Sequence, residues 1–315
     1  MSTKFVILCG GQGTRLWPIS NSKIPKQFVV MNEQKSLLDR SIERISSLSL
    51  DHPLIVSNRK YDIDKYENIL YEDYSNDTAV AVLRSVLEVE RKYGNVKVVV
   101  LPADHNIENN DIFIKDIQRG IDKVNDHNIV LFGISPEYPS SKYGYILPQQ
   151  SEIKFKEKPN TSDAMKLIDQ GALWNSGIFA ANTRTILNAI ENSTHDIFEW
   201  INQPREGNAP SFDVAVLQEY SHISLVRCHD WGWSDIGSHD SFLLLPEIKQ
   251  EVDAGKNVVK MLSEDVSVLN RGRGNVVVIG CDDLRIIVNG DDILITKNGD
   301  YSDELKQLIS KNIIT

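Results

Sequence analysis

Long apolar runs are missing from this chain: none approaches the roughly 20 residues that a membrane-crossing helix needs. The amino terminus runs straight into a strand-like segment, without the basic, apolar and small-residue zones of a secretory leader. A cytoplasmic protein with no membrane partner is therefore expected. Cysteine is scarce. The three present, Cys9, Cys228 and Cys281, form neither a C-x-x-C pair nor a metal-ligand spacing. That excludes a disulfide framework and a structural zinc site, and leaves core or strand-end thiols. A basic excess is also absent. The 34 Lys and Arg against 44 Asp and Glu give a net charge of −10, which argues against nucleic acid as a partner. It does not argue against anionic substrates, because basic residues can be concentrated in one cleft. Internal repeats, low-complexity tracts and long charge blocks are missing too.

What is present is an ordinary globular composition, 41% hydrophobic over 315 residues, enough for one large α/β domain and a smaller appendage. Apolar strand-like runs at Phe5–Leu8, Leu54–Val56, Val96–Leu101 and Ile129–Gly133 alternate with helical patterns at Leu37–Ser46, Thr78–Tyr93 and Phe113–Asn125. In Thr78–Tyr93, Val82, Val86 and Val89 recur at helical spacing, whereas Val96–Leu101 is the continuous run of a strand buried on both faces. This alternation predicts a Rossmann-like, mostly parallel sheet flanked by helices, with ligands at the carboxyl ends of the strands. From about residue 255 the pattern changes to short strands, Val266–Asn270, Asn275–Ile279, Leu284–Val288 and Ile293–Lys297, with a turn at Asn289-Gly290 and a terminal helix at Ser302–Ser310. The expected division is a catalytic domain over 1–254 and a small β-rich domain over 255–315. Exposed strand edges in the latter leave room for a homodimer.

The segment that says most about function is residues 5–28, FVILCGGQGTRLWPISNSKIPKQF. A strand opens into a loop with Gly10, Gly11 and Gly13, followed by Thr14 and Arg15. Glycines let backbone N–H groups close around a phosphate with no Cβ in the way. Arg15 adds a fork of donors matched to phosphate oxygens, and Lys26 a second cation. A Walker A loop is excluded, because no lysine follows Gly13. A dinucleotide fingerprint is excluded as well, because Leu16 stands where the third glycine belongs.

The stretch GGxGTRLWPxS…PKQF resembles the signature of sugar-1-phosphate nucleotidylyltransferases, and its Trp-Pro and Pro-Lys-Gln-Phe forms resemble mannose-1-phosphate guanylyltransferases in particular. The resemblance covers nearly the whole chain, and the additional isomerase domain of longer bifunctional relatives is not expected. It implies a Mg²⁺-dependent transfer of a nucleoside monophosphate from GTP to mannose 1-phosphate, with Leu8, Gly10, Gly11, Gly13, Thr14, Asp77, Thr78 and Asp104 at the nucleotide.

Four further segments carry chemistry. Asp104 follows the apolar strand in Leu101-Pro102-Ala103-Asp104-His105, where a carboxylate can hold a hard cation or simply cap a turn. Asp235 sits in the aromatic and glycine frame Trp231–Gly237. The resemblance makes Asp104 a Mg²⁺ ligand, and Asp235 is the expected second one. Phe155-Lys156-Glu157-Lys158-Pro159 resembles the family's F-x-E-K-P element. Strand alternation would set Glu157 on one face for sugar hydroxyls, with Lys156 and Lys158 on the other and Lys158 meeting the sugar phosphate; a charged edge strand guarded by proline is the plainer reading. Trp174-Asn175-Ser176-Gly177 resembles W-N-S-G, with Asn175 offering donor and acceptor side by side. Tyr143-Gly144-Tyr145-Ile146 resembles the G-Y-I segment of the sugar pocket.

The chain departs from the family at the base pocket. Where R-N-T-A-P-A is usual, Asn76-Asp77-Thr78-Ala79-Val80-Ala81 stands, and Ser141-Lys142 precedes the G-Y-I match. Asp77 offers acceptors to guanine N1–H and N2–H₂. Other pairs stay open, such as a heptose, fucose or glucose 1-phosphate or another base. A regulatory subunit without catalysis is disfavoured, because Lys26, Asp104 and Asp235 are all present. The attacking phosphate is already ionised at neutral pH, so no Ser/His/Asp or Cys/His set is needed. Positioning and charge neutralisation remain, and Arg15 and Lys26 are the expected catalytic residues. Replacing either is expected to lower turnover and leave folding nearly unchanged.

Overall fold

The computed structural model describes residues 3–11, 13–31, 35–61, 63–73, 77–149, 152–202, 209–311 and 313–314. Gln12 of the glycine loop and Asn76 of the expected base pocket lie outside them. The chain forms two compact units, one of residues 1–10, 41–103 and 107–233, the other of residues 11–40, 104–106 and 234–315. The sequence boundary at 254/255 falls inside the second unit.

The first unit is built on a nine-stranded sheet: β1 (Lys4–Cys9), β2 (Leu54–Asn58), β3 (Ile69–Glu72), β4 (Lys97–Pro102), β5 (Ile129–Ile134), β6 (Tyr145–Pro148), β7 (Ile153–Lys156), β8 (Leu173–Asn182) and β9 (Ile223–Arg227). The main order is β3-β2-β1-β4-β8-β5-β9, with β6 joining β8 and carrying β7. β1 is parallel to β2 and β4, β2 to β3, and β5 to β9. β8 runs antiparallel between β4 and β5. Val98 to Leu101 of β4 are completely buried or nearly so, as an unbroken apolar run requires when both faces are covered.

The helices follow the strands: α1 (Leu37–Ile45, of which 41–45 belong to this unit), α2 (Thr78–Tyr93), α3 (Asn110–Lys123), α4 (Thr161–Asp169), α5 (Thr183–Glu191) and α6 (Ile197–Asn202). α2 shows why its ends fall where the sequence puts them. Asp77 accepts from Thr78 N at its start, and Gly94, at φ +72°, stops it by donating back to Glu90 C=O. Between them Val82, Val86 and Val89 enter a core shared with Val98, Val100, Leu131, Phe179 and Phe212.

The second unit joins both ends of the sequence. It contains α7 (His239–Leu243), α8 (Pro246–Ala254) and α9 (Ser302–Ser310), with strands β10 (Val258–Met261), β11 (Val266–Arg271), β12 (Val276–Ile279), β13 (Leu284–Asn289) and β14 (Asp292–Lys297). β11 and β14 flank β13, while β10 and β12 pair separately. The four expected strands and the terminal helix are all present, and β10 is an addition. Leu16, Ile19, Val29, Met31 and Leu37 share one core with Ile236, Phe242, Leu245, Leu269 and Ile287. The segment that follows the glycine loop is thus backed by residues about 200 positions away in sequence. His239 reinforces this. It is buried, and burial lowers its pKa to about 4, so the neutral ring donates Nε2–H to Trp17 C=O at 2.9 Å. Asn289 Nδ2 donates to Pro18 C=O at 2.7 Å.

Candidate active site

The phosphate-loop residues of the second unit are organised by Gly13 and Lys26. Gly13 has φ +64°, and a Cβ there would lie 2.4 Å from the Lys26 nitrogen, so only glycine allows the two backbones to meet. Ser20 Oγ donates to Gly13 C=O, and Gln27 Nε2 donates to Gly11 C=O at 2.9 Å. Thr14 and Arg15 then enter a single 3-10 turn, Thr14–Leu16. Arg15 is exposed, and among the described residues nothing pairs with its guanidinium. It keeps all its donors for a ligand.

Lys26 is almost fully buried. Its ammonium pairs with Asp104 Oδ2 at 2.7 Å and donates to Asp235 C=O at 2.5 Å, with Ile236 C=O at 3.5 Å. The expectation that replacing Lys26 leaves folding nearly unchanged is therefore revised: it is also a structural tie among three distant segments. The other tie is a two-way backbone bridge, Asn106 N to Ser234 C=O at 2.9 Å and Ser234 N to Asn106 C=O at 3.1 Å. It holds the segments of Asp104 and Asp235 side by side. Burial pushes the Asp104 carboxyl up, but the Lys26 ammonium, then His105, outweigh this and hold it below the usual carboxylate range. Asp235 Oδ1 accepts from Gly237 N at 3.1 Å, fixing its rotamer. Among the described residues no group of three or more His, Cys, Asp or Glu gathers as a metal site. Two hard carboxylates fit Mg²⁺, which commonly takes one or two from the protein and completes its shell with phosphates and water.

The expected sugar residues come together in the first unit. Asn175 Nδ2 donates to Asp213 Oδ1 at 2.8 Å, while Asn175 Oδ1 accepts from Gly177 N at 3.2 Å. Glu157 is paired with Lys158 at 2.8 Å. Strand alternation does not place these two residues. β7 ends at Lys156, opposite Tyr145, the first residue of its partner β6, and beyond it Glu157 N donates to Gln218 Oε1 at 3.3 Å. Beyond the strand Lys158 turns to φ +40°, which lets its amine fold back on Glu157. A Cβ on Gly144 would lie 2.7 Å from Glu157 Oε2 and 2.6 Å from the Phe155 ring, so glycine is required for that approach. Tyr143 stacks edge-on against Trp174 and Trp233, with centroids 4.9 and 5.4 Å away.

Of the expected nucleotide residues in the same unit, Leu8 and Gly10 lie at the end of β1, where Leu8 C=O accepts from Ala103 N at 2.9 Å. Asp77 is exposed and spends one oxygen on Thr78 N at 2.7 Å. Thr78 Oγ1 accepts from Phe212 N at 2.9 Å. Both residues thus have work in the fold at the start of α2.

Two carboxyls escaped the sequence reading. Asp213 opens a π-helical turn, Asp213–Leu217. Burial, then the nearby charge of Glu157, raises its pKa to about 7. Glu72, at the end of β3, is raised to about 7 by burial, with Arg84 opposing. Neither stands in a motif. An Asp before an apolar helical run reads as a cap, and a Glu at a strand end reads as surface.

A glycine loop, an exposed arginine without a partner among the described residues and a buried acid–ammonium tie are features of a nucleotide-handling transferase. Residues 4–251 match the nucleotidyl transferase family model, and the chain belongs to that family. It is an enzyme of the nucleotidyltransferase class. A mannose-1-phosphate guanylyltransferase of Escherichia coli is 28% identical over 334 residues, covering 93% of this chain and 72% of its own. The alginate biosynthesis protein AlgA of Pseudomonas aeruginosa is 28% identical over 346 residues, covering 96% and 71%. A solved structure from Thermus thermophilus, described as mannose-1-phosphate geranyltransferase, superposes with a TM-score of 0.80 at 25% identity over the whole of both chains. Among the described residues no helix is long and apolar enough to cross a membrane.

Proposed function

We propose that this enzyme transfers a guanylyl group from GTP to mannose 1-phosphate, giving GDP-mannose and pyrophosphate. The observation that carries the reading is Arg15, exposed and without a partner among the described residues, on a glycine loop whose neighbour Lys26 is tied to Asp104 and to the backbone of Asp235. An ionised oxygen of the sugar phosphate attacks the α-phosphorus, the bond to the β-phosphate oxygen breaks in line, and pyrophosphate leaves. No proton has to be removed from the nucleophile, so the protein supplies position and charge. The backbone of Gly10, Gly11 and Gly13 receives the triphosphate, with Thr14 beside it. Arg15 balances charge on the leaving pyrophosphate. Lys26 brings a second cation to the loop and orients Asp104. Asp104 and Asp235 are the residues that would hold Mg²⁺, which when bound supplies charge neutralisation to the phosphates.

For the acceptor, Lys158 meets the sugar phosphate, and Glu157, Asn175, Tyr143 and Gly144 meet the sugar. The relatives named for mannose 1-phosphate support this pair. The altered sequence at Asn76–Ala81 favours, as the second reading, the same reaction on a different sugar 1-phosphate or base. Pyrophosphate release by the purified protein with Mg²⁺, across a grid of nucleoside triphosphates and sugar 1-phosphates, separates the two. A maximum at GTP with mannose 1-phosphate is expected. A maximum elsewhere would overturn the substrate assignment and keep the chemistry, and no turnover with any pair would overturn both.

A further inference from the structure

We propose that acceptor binding takes up a proton, which settles on Asp213 when the sugar phosphate draws the Lys158 ammonium away from Glu157. The inference rests on the proposed place of Lys158 at the acceptor phosphate and adds the proton that this place requires. The groups involved are gathered within the first unit. Asn175 of β8 donates from Nδ2 to Asp213 Oδ1 at 2.8 Å, and from its backbone to Gly144 C=O at 2.8 Å. Gly144 in turn lies against the Glu157 carboxylate, with Oε2 2.7 Å from where a Cβ would stand. Glu157 N donates to Gln218 Oε1 at 3.3 Å, and Gln218 N donates to Asp213 C=O at 3.1 Å. Both acids are thus anchored to the same few residues. Among the described residues Lys158 is the cation paired with Glu157, at 2.8 Å, and its own side chain is 59% exposed, open to an incoming phosphate.

The charges that act on Asp213 come from three segments. Burial, then Glu157, and more weakly Asp77 at the start of α2, push its carboxyl up; its own backbone N–H and the Lys158 ammonium pull it down. The balance leaves it at about 7, half protonated near neutral pH. A dianionic sugar phosphate at Lys158 moves both sides of this balance the same way. It competes for the ammonium that neutralised Glu157, and it adds negative charge of its own. Each change disfavours a second carboxylate close by. The cluster then holds two acids and a phosphate against one ammonium, and a proton restores the count. Asp213 is partly open to solvent, which supplies that proton. Its Oδ1 is taken by Asn175 Nδ2, so the proton goes to Oδ2.

The test is calorimetric titration of mannose 1-phosphate into enzyme loaded with Mg²⁺ and the α,β-methylene analogue of GTP, which cannot release pyrophosphate. Repeating it in buffers of different ionisation enthalpy counts the protons exchanged. At about pH 8 the acceptor phosphate, with a second pKa of about 6, is already dianionic and has no proton to give. Asp213 starts mostly ionised there, so wild type should take up on the order of half a proton per molecule. Because the carboxyl holds its proton more firmly with acceptor bound, affinity should weaken by about 3- to 10-fold from about pH 7 to about pH 9. Asp213→Asn keeps an acceptor for Asn175 and cannot titrate. In it the uptake should vanish, and affinity should stay within about twofold over the same range. Uptake that persists in the variant, or wild-type binding without uptake, overturns the inference and leaves the proposed reaction standing. Failure of mannose 1-phosphate to bind overturns the acceptor assignment itself. If Asp213→Asn does not fold, Lys158→Met decides: without the ammonium Asp213 already holds its proton, so the acceptor should bind more weakly and without uptake, and uptake equal to that of wild type would overturn the inference.

Discussion

Replacing Lys26 by Met removes a charge and three hydrogen-bonding protons while keeping most of the volume, so any cavity contribution is small. Two consequences follow from the partners that Lys26 has. Asp104 loses its ion pair. Breaking a buried pair costs about 3–5 kcal/mol, but the Asp104 side chain is 32% exposed, and solvent returns roughly half of that. The carbonyl of Asp235 also loses a donor, at about 1 kcal/mol. The sum is about 3 kcal/mol, which lowers the melting temperature of a protein this large by roughly 4–5 °C. The pH dependence supplies an internal control. The folded-state pKa of Asp104 lies below its unfolded value, so the pair's stabilisation is present above about pH 4 and is lost as pH falls through the depressed pKa. The gap between wild type and Lys26→Met should therefore be full at pH 7 and shrink once the medium is more acidic than about pH 4. Differential scanning calorimetry at both ends of this range decides the matter. A variant melting within about 1 °C of wild type at neutral pH would refute the view of Lys26 as a structural tie.

Arg15, by contrast, is exposed and has no side-chain partner among the described residues, so Arg15→Ala should melt as wild type does while turnover falls by about 10²-fold or more; a matching loss of stability in calorimetry would contradict this. Asp235→Asn keeps a hydrogen-bond acceptor for Gly237 N but not the charge, and should shift the Mg²⁺ titration of pyrophosphate release to higher concentration; an unchanged titration would remove Asp235 from the metal site. His239 has a folded pKa of about 4, below its unfolded value. It therefore favours the folded state above about pH 6.5 and costs stability as the medium is acidified toward pH 4, by up to about 3 kcal/mol. His239→Gln, which can still donate to Trp17 C=O, should flatten the fall in melting temperature over that window; parallel curves would show that another group is responsible.

Much of this molecule can be read from local sequence. α2 and α9 have the boundaries that their patterns predict, and in α2 a cap, a stop and a run of apolar residues lie within one helix length. β1 and β4 and the loop between strand and turn are equally local. The misreadings concern relations that sequence distance hides. Whether Glu157 and Lys158 continue a strand depends on where the partner strand begins, at Tyr145, and on Gln218, which takes the Glu157 N–H from 61 residues away. Whether Lys26 is a surface cation or a buried one depends on Asp104 and Asp235, 78 and 209 residues away. Glu72 and Asp213 look like any strand-end or helix-start carboxylate until their depth is known.

The shared core of Leu16, Val29 and Leu37 with Ile236, Phe242 and Ile287 also bears on how the chain is made. The glycine loop leaves the ribosome early, yet the residues that back it follow roughly 200 codons later. At a synthesis rate of about 5–20 residues per second, that is a wait of roughly 10–40 s with its apolar side uncovered. The sheet of the other unit can form during that interval, since its strands between Lys4 and Arg227 are complete before Ile236 is added. The part of the protein proposed to do the chemistry is thus among the first to be translated and among the last to fold, and a nascent chain stalled before Ile236 would carry a formed sheet and an unfinished phosphate loop.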